Sequence, residues 1–435
     1  MSASRSYGRG AAILSVGIGA TGLITFAYFS LASHALPEDE YGRITLLWSA
    51  IFITVSVLYR PVEQLLSRTI ADHDARGVEG TEHLRVAGTI QLGLGLLFVV
   101  VALALRGPIQ DELFAGSSRL YWILVVAVLA YAASYFARGY LAGHRLFPLY
   151  GGLVLMEATS RCLFALAVAV GIAEGQTAVA LGMAAAPIVS LAVVPRALAR
   201  RLDRARPPAA DPAQLDAAAR DEPAAGEAEF TLARGTGFAS AVLVVMLCEQ
   251  TFLNAGPLLV KATADTGGAA LAGFAFNVLL IARAPLQLFQ AVQTSILPHL
   301  TRARAGGERD AFTRSVNVTL TAIAGFAGVV ALVMLAAGPT VMDLLFGGDF
   351  AYDRGGLLLV SLGMGLYLSA ATLNQALLAH ARARQSATCW AACAITFVLF
   401  LVLVDFNDRV LQVEVAFVGA AAVLAGSLYA MYSRA

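Results

Sequence analysis

The chain is predicted to be an all-α polytopic membrane protein, with about twelve transmembrane helices in two six-helix lobes. The lobes are expected to be related as a parallel pseudo-two-fold repeat around a central cavity. Three observations lead there. Of 435 residues, 58% are hydrophobic and 14% charged, with mean hydropathy +0.73; a soluble interior cannot hide that much apolar surface. Twelve stretches approach the roughly 20 apolar residues that cross a bilayer. One long polar segment separates them six and six. The net charge of +1 excludes a polybasic nucleic-acid binder.

The first six spans fall at about 10–33, 44–67, 86–105, 119–138, 149–170 and 177–196. Arg5 and Arg9 precede the first. Its apolar run is too long for the core of a signal peptide, so it is read as a membrane helix. From about 197 the sequence changes to Arg200-Arg201-Leu202-Asp203-Arg204-Ala205-Arg206-Pro207-Pro208 and then to Asp, Glu, Ala and Pro. Such a segment cannot bury a core and reads as a disordered cytoplasmic linker. The remaining spans fall at about 236–260, 270–297, 313–336, 356–378, 386–404 and 412–432. The expected organisation is therefore a lobe over 1–197, a linker over 198–235 and a second lobe over 236–435. The longest external loop is expected near 337–355, too short for an extracytoplasmic catalytic domain, and no enzyme activity is expected.

Orientation follows from the basic residues. With the N-terminus inside, 21 of the 30 Lys and Arg fall in cytoplasmic segments, six in external loops and three within spans. The positive-inside rule then puts both termini in the cytoplasm. Arg138 is counted among the cytoplasmic set.

Two local matches suggest the repeat. Arg60-Pro61-Val62-Glu63-Gln64-Leu65 in span 2 resembles Arg283-Ala284-Pro285-Leu286-Gln287-Leu288 in span 8. Leu141-Ala142-Gly143-His144-Arg145 after span 4 resembles Leu378-Ala379-His380-Ala381-Arg382 after span 10. Both fall at corresponding positions, as a parallel repeat requires.

Six ionisable residues lie well inside spans: Arg60, Glu63, Glu157, Arg161, Glu249 and Arg283. Each costs about 2.5–3.5 kcal/mol at the centre of a bilayer unless it faces protein or water. Helical spacing puts Arg283, Gln287, Gln290 and Thr294 on one face of span 8, and Ser56, Arg60, Gln64 and Ser67 on one face of span 2. Two such stripes suit a cavity opening inward, and their guanidinium groups suit bidentate phosphate binding. Glu157 and Arg161 are spaced for an ion pair within one helix. Arg60 and Glu63 can neutralise each other. Arg283 has no acid on its own helix, and Glu249 is its expected partner across helices or a group that couples transport to a proton or cation.

Other apparent motifs carry no chemistry. Gly17-Ile18-Gly19-Ala20-Thr21-Gly22 lies inside a membrane helix, where small residues serve helix packing rather than dinucleotide binding. Asp72-His73-Asp74 with His83 reads as a solvated loop. Cys162, Cys248, Cys389 and Cys393 lie in apolar runs with no metal spacing and no disulfide framework. No metal and no cofactor are expected.

Four further segments carry a family resemblance. They are Leu36-Pro37-Glu38-Asp39-Glu40-Tyr41-Gly42 with Leu65-Leu66-Ser67-Arg68-Thr69-Ile70-Ala71, and Arg138-Gly139-Tyr140-Leu141-Ala142-Gly143-His144-Arg145-Leu146-Phe147. The others are Arg283 through Leu297-Pro298-His299-Leu300, and Leu344-Leu345-Phe346-Gly347-Gly348-Asp349-Phe350. With these the chain resembles the polysaccharide or oligosaccharide-lipid flippases, relatives of the multidrug and toxic compound extrusion (MATE) transporters.

The resemblance implies an alternating-access flippase in the bacterial plasma membrane. Its substrate would be a polyprenyl pyrophosphate-linked oligosaccharide for cell-surface polysaccharide assembly. Arg60 and Arg283 would meet the pyrophosphate, and Gln64, Gln287 and Gln290 the sugar hydroxyls. Glu63, Glu157, Arg161 and Glu249 would form cavity ion pairs or couple transport to an ion. The protein would act as a monomer in the bilayer, alongside a polysaccharide polymerase or glycosyltransferases. The alternative is a MATE-type or major-facilitator-type small-molecule exporter. The loop between spans 2 and 3, Ser67 to Gly77, lacks the Gly-x-x-x-Asp-Arg-x-Gly spacing of the major facilitators.

If 205–228 is only a tether, its deletion should leave membrane insertion and transport unchanged, as checked by expression level and complementation of a deletion strain.

Overall fold

The computed structural model describes residues 2–76, 81–144, 146–193, 232–264, 267–281, 309–347, 352–380, 382–404 and 406–434. All regular structure among them is helical. The helices are α1 (Ser2–Ala35), α2 (Glu38–Leu58), α3 (Arg60–Arg76), α4 (Glu82–Ala104), α5 (Ser118–Gly143), α6 (Phe147–Ala169) and α7 (Gly175–Ser190). After residue 231 come α8 (Leu232–Thr263), α9 (Gly268–Ile281), α10 (Arg309–Phe346), α11 (Arg354–Ala379), α12 (Ala383–Leu403) and α13 (Arg409–Ser433). Nine described spans are long and apolar enough to cross a membrane, α2 and α3 counting as one. Helices α1, α7 and α9 occupy the other three predicted places. Most of the expected linker, 198–235, lies outside the described residues.

Local sequence explains the helix boundaries. Asp353 accepts from the Gly356 amide at 3.0 Å at the start of α11. Asp408 accepts from the Val410 and Leu411 amides at 2.9 and 3.1 Å at the start of α13. Each satisfies donors that the first turn leaves free. Between α2 and α3 the helix is interrupted at Tyr59, just before Pro61. Proline supplies no amide and crowds the carbonyl four residues back. The break puts Arg60 at an irregular turn in mid-span. One expectation needs correction. Helix α10 runs through Pro339 to Phe346, so the region near 337–355 is mostly helix rather than the longest external loop. Met342 and Phe346 are buried in the core, and that burial holds the last turns in helical form.

Helices α1 to α7 pack on one another, as do α8 and α10 to α13. Helix α1 lies along α6, where a Cβ on Gly17 would meet Gly151 Cα at 3.4 Å. Gly17 of the apparent dinucleotide motif therefore serves helix packing, while a Cβ on Gly19 would meet nothing within 4 Å. The repeat shows in the turns that follow α5 and α11. His144 and His380 end their helices with φ/ψ of −82/10° and −84/10°. Each ring Nδ1 lies 2.9 Å from the carbonyl oxygen four residues back, Tyr140 and Ala376. The Leu146 amide donates to Leu141 O at 2.8 Å and the Arg382 amide to Leu377 O at 2.9 Å. Aligned on these bonds, His144 matches His380, one residue away from the register that the side chains alone suggest.

The two lobes meet at the end that carries the α1–α2 and α8–α9 turns. Tyr41 Oη donates to Asn277 Oδ1, and Asn277 Nδ2 donates to Tyr352 Oη at 3.0 Å, all three buried. Ser33 Oγ donates to Phe346 O. The Phe29 and Phe276 rings pack at 4.6 Å. Gly42 is the tightest point: a Cβ there would stand 1.8 Å from Ala269 O. No side chain fits that gap.

Gly42→Ala should therefore separate the lobes at this end. With the native cysteines replaced by alanine, Leu46→Cys and Ala272→Cys should cross-link readily, and adding Gly42→Ala should lower the yield several-fold.

Candidate functional site

The charged residues inside the first lobe converge on α3, α5, α6 and α7. Glu157 is their hub. Its side chain accepts hydrogen bonds from Ser134 and Arg138 of α5, and from Ser190 of α7 at 3.3 Å. It is 2% exposed, so every lone pair must be answered inside the protein. The ion pair runs to Arg138, which sits over the Tyr135 ring at 4.6 Å. Arg138 is thus largely enclosed by protein. One expectation is corrected: Glu157 does not pair with Arg161 on its own helix.

Arg161, 4% exposed, turns the other way. Its Nη1 donates to Tyr131 Oη at 2.6 Å. Its guanidinium carbon lies 5.0 Å from the centre of the Trp48 ring and 5.8 Å from that of Phe52. The electron-rich ring faces stand in for a carboxylate. Glu63 accepts from Tyr150 Oη at 2.9 Å and lies in electrostatic range of Arg138 and Arg60. Thus Glu63 is shared, not reserved for Arg60. Helical spacing brings these groups together. Tyr131, Ser134 and Arg138 occupy one face of α5, and Tyr150, Glu157 and Arg161 one face of α6. Gly139 lets α3 approach, since a Cβ there would stand 2.8 Å from Glu63 O.

Arg60 lies beyond this network. Glu249 on α8 of the other lobe, Tyr135, Glu63 and Tyr150 lie within electrostatic range of it. Arg60 and Glu249 are each only partly covered, and Gln64, one turn further along α3, is exposed. The expected stripe therefore divides, with Gln64 exposed and Arg60 partly covered. Arg283, Gln287 and Gln290 lie outside the described residues, as does any contact of Glu249 with Arg283.

Sequence reasoning missed Arg138, Tyr131, Tyr150, Ser134 and Ser190. The signal for Arg138 was present: it stands one helical face, seven residues, from Tyr131 and four from Ser134. Its place at the predicted edge of span 4 hid it. His73 and His83 meet at 3.1 Å between ring nitrogens, at the end of α3 and the start of α4. Among the described residues no group of three or more metal-ligating side chains gathers.

Two packed groups of membrane-length helices define the class: a two-lobed polytopic membrane protein with the fold of the MATE transporters. The structure is similar to the MATE transporter VcmN of Vibrio cholerae in a mutant form (TM-score 0.64, 13% identity, 100% of this chain and 98% of that one). It is similar to a eukaryotic MATE transporter (TM-score 0.66, 13% identity, 99% and 96%). A third likeness is to a MOP superfamily transporter from Pyrococcus furiosus, described as having a binding pocket of reversed polarity that suggests a different function (TM-score 0.59, 13% identity, 98% and 95%). No family model matches the chain, and no curated protein matches it by sequence.

Arg138→Ala leaves Glu157 charged and unpaired in the lobe interior. It should cost about 3–5 kcal/mol, read as a lowered melting temperature of the detergent-solubilised protein. Adding Glu157→Leu should recover most of the loss.

Proposed function

We propose that this protein is an alternating-access flippase that carries a polyprenyl pyrophosphate-linked oligosaccharide across the bacterial plasma membrane. The observation that carries the reading is the position of Arg60: a guanidinium within a membrane-length span, only partly covered and with no close ion pair to a carboxylate of its own lobe among the described residues. Such a group suits a phosphate ester, which accepts two parallel N–H bonds. Arg60 and Arg283 would hold the pyrophosphate, and Gln64, Gln287 and Gln290 the sugar. The lipid tail would stay in the bilayer between the lobes.

The closed seam at Tyr41, Asn277 and Tyr352 lies at the end reached by the α1–α2 turn. With both termini in the cytoplasm, as the distribution of basic residues indicates, that end is external and the space between the lobes opens inward. Loading would occur from the cytoplasmic face. Opening the seam while the inner ends close would expose the same site outward. Partner enzymes would be the glycosyltransferases that build the substrate and the polymerase that consumes it.

The second reading is a MATE-type exporter of small molecules. It is favoured by the fold and by Glu249, an acidic group within a membrane-length span that suits a cation. The two readings differ in what accumulates on deletion. The flippase reading expects lipid-linked oligosaccharide on the cytoplasmic face. Unchanged lipid intermediates with altered drug sensitivity would overturn it.

At normal expression, Arg60→Ala and Arg283→Ala should each abolish complementation, and Arg283→Lys should retain little. Fully active alanine variants would refute the phosphate contacts.

A further inference from the structure

The end of α3 and the start of α4 hold a pair of imidazoles outside the charged network of the first lobe. His73 Nδ1 lies 3.1 Å from His83 Nδ1, and the two ring planes stand at 82° with centroids 4.9 Å apart. The other described histidines behave differently. His34, His144 and His380 each direct Nδ1 at the carbonyl oxygen four residues back on their own helix. The spacing of His73 and His83 is set by the packing of their helices. Val62, Leu66 and Ile70 of α3 pack with Ala87 and Leu84 of α4. His73 follows Ile70 by three residues and Leu66 by seven, and His83 precedes Ala87 by four. Each imidazole therefore extends the packed face of its helix, and both are half-buried.

We propose that His73 and His83 form a two-imidazole site for a borderline divalent cation of the Zn²⁺ or Ni²⁺ kind, which clamps α3 to α4. Neutral imidazole is a ligand that such ions favour. Two nitrogens bound to one tetrahedral Zn²⁺ at about 2.0–2.1 Å stand about 3.3–3.4 Å apart, a small adjustment from the spacing of this pair. Without the ion, one Nδ1–H donates to the other Nδ1, which the same spacing suits. Binding moves that proton to Nε2 of the donor ring, so both Nδ1 lone pairs reach the ion and both rings stay neutral. Among the described residues no third ligand gathers, and water completes the coordination. The site is thereby open and reversible, unlike the closed four-ligand kind that holds a fold together. A bound ion ties the last turn of α3 to the first turn of α4, and α3 is the helix that carries Arg60 and Gln64.

The test is equilibrium binding of Zn²⁺ alone to the purified chain, free of any affinity tag, in detergent. One ion per chain is expected, and Mg²⁺, which prefers oxygen ligands, should not compete. His73→Gln and His83→Gln should each weaken binding about tenfold or more. His73→Cys and His83→Cys, which put a thiolate in place of the imidazole, should keep it. His34→Gln should bind like the parent. Saturating Zn²⁺ should raise the melting temperature of the parent and leave that of His73→Gln/His83→Gln unchanged. Parent-like Zn²⁺ binding by this double variant would overturn the site. So would an equal loss in His34→Gln, which would make binding a general property of surface imidazoles. Where a Gln variant does not fold, the Cys variants decide: loss of binding at a parent-like metal-free melting temperature also overturns the proposal.

Discussion

The arrangement depends on one constraint: charge inside a membrane must be answered by protein. Glu157 shows how completely. Two helices deliver donors to the carboxylate carried by a third, Ser134 and Arg138 from α5 and Ser190 from the end of α7. Those bonds fix the rotation of α5, α6 and α7 about their axes, because a turn of any helix would strand a buried polar atom. Apolar packing alone would allow many such rotations in a lobe so rich in Ala, Val and Leu. The polar hub thus supplies a specificity that hydrocarbon contacts lack. Arg161 obeys the same rule with different chemistry, since aromatic faces and a phenol hydroxyl replace the acid.

A second constraint acts between the lobes. The seam combines a buried Tyr–Asn–Tyr hydrogen-bonded clasp with backbone contact at Gly42. The clasp gives the contact direction. The glycine gives it closeness, because Ala269 O occupies the place of a side chain. Both interactions are local to one end. Either can be lost without disturbing the Glu157 hub, which lies wholly inside one lobe.

Much of the fold was legible because membrane helices obey a strong rule. Length and apolarity located the spans, and the stripe Arg60–Gln64 followed from a 3.6-residue period. What failed was partner choice. Glu157 and Arg161 have favourable spacing within one helix, yet each finds a better partner on a neighbour. An intrahelical pair leaves half of each group facing hydrocarbon, while Ser134, Ser190, Tyr131 and Trp48 enclose them. Such preferences depend on tertiary neighbours that no periodicity reveals. The end of α10 failed for another reason. The helix continues through Pro339, and burial of Met342 and Phe346 holds its last turns in place, a tertiary contact that no local pattern announces. The repeat was visible in Leu-Ala and Arg, but its register is set by the histidine-ended turns.

The described internal residues of the first lobe comprise Arg60, Arg138 and Arg161 against Glu63 and Glu157, an excess of one positive charge. Arg138 is answered by Glu157, whereas Arg161 is answered by the Tyr131 hydroxyl and the Trp48 and Phe52 ring faces. Aromatic faces thus take the place of a carboxylate, which is how the lobe encloses more cations than acids.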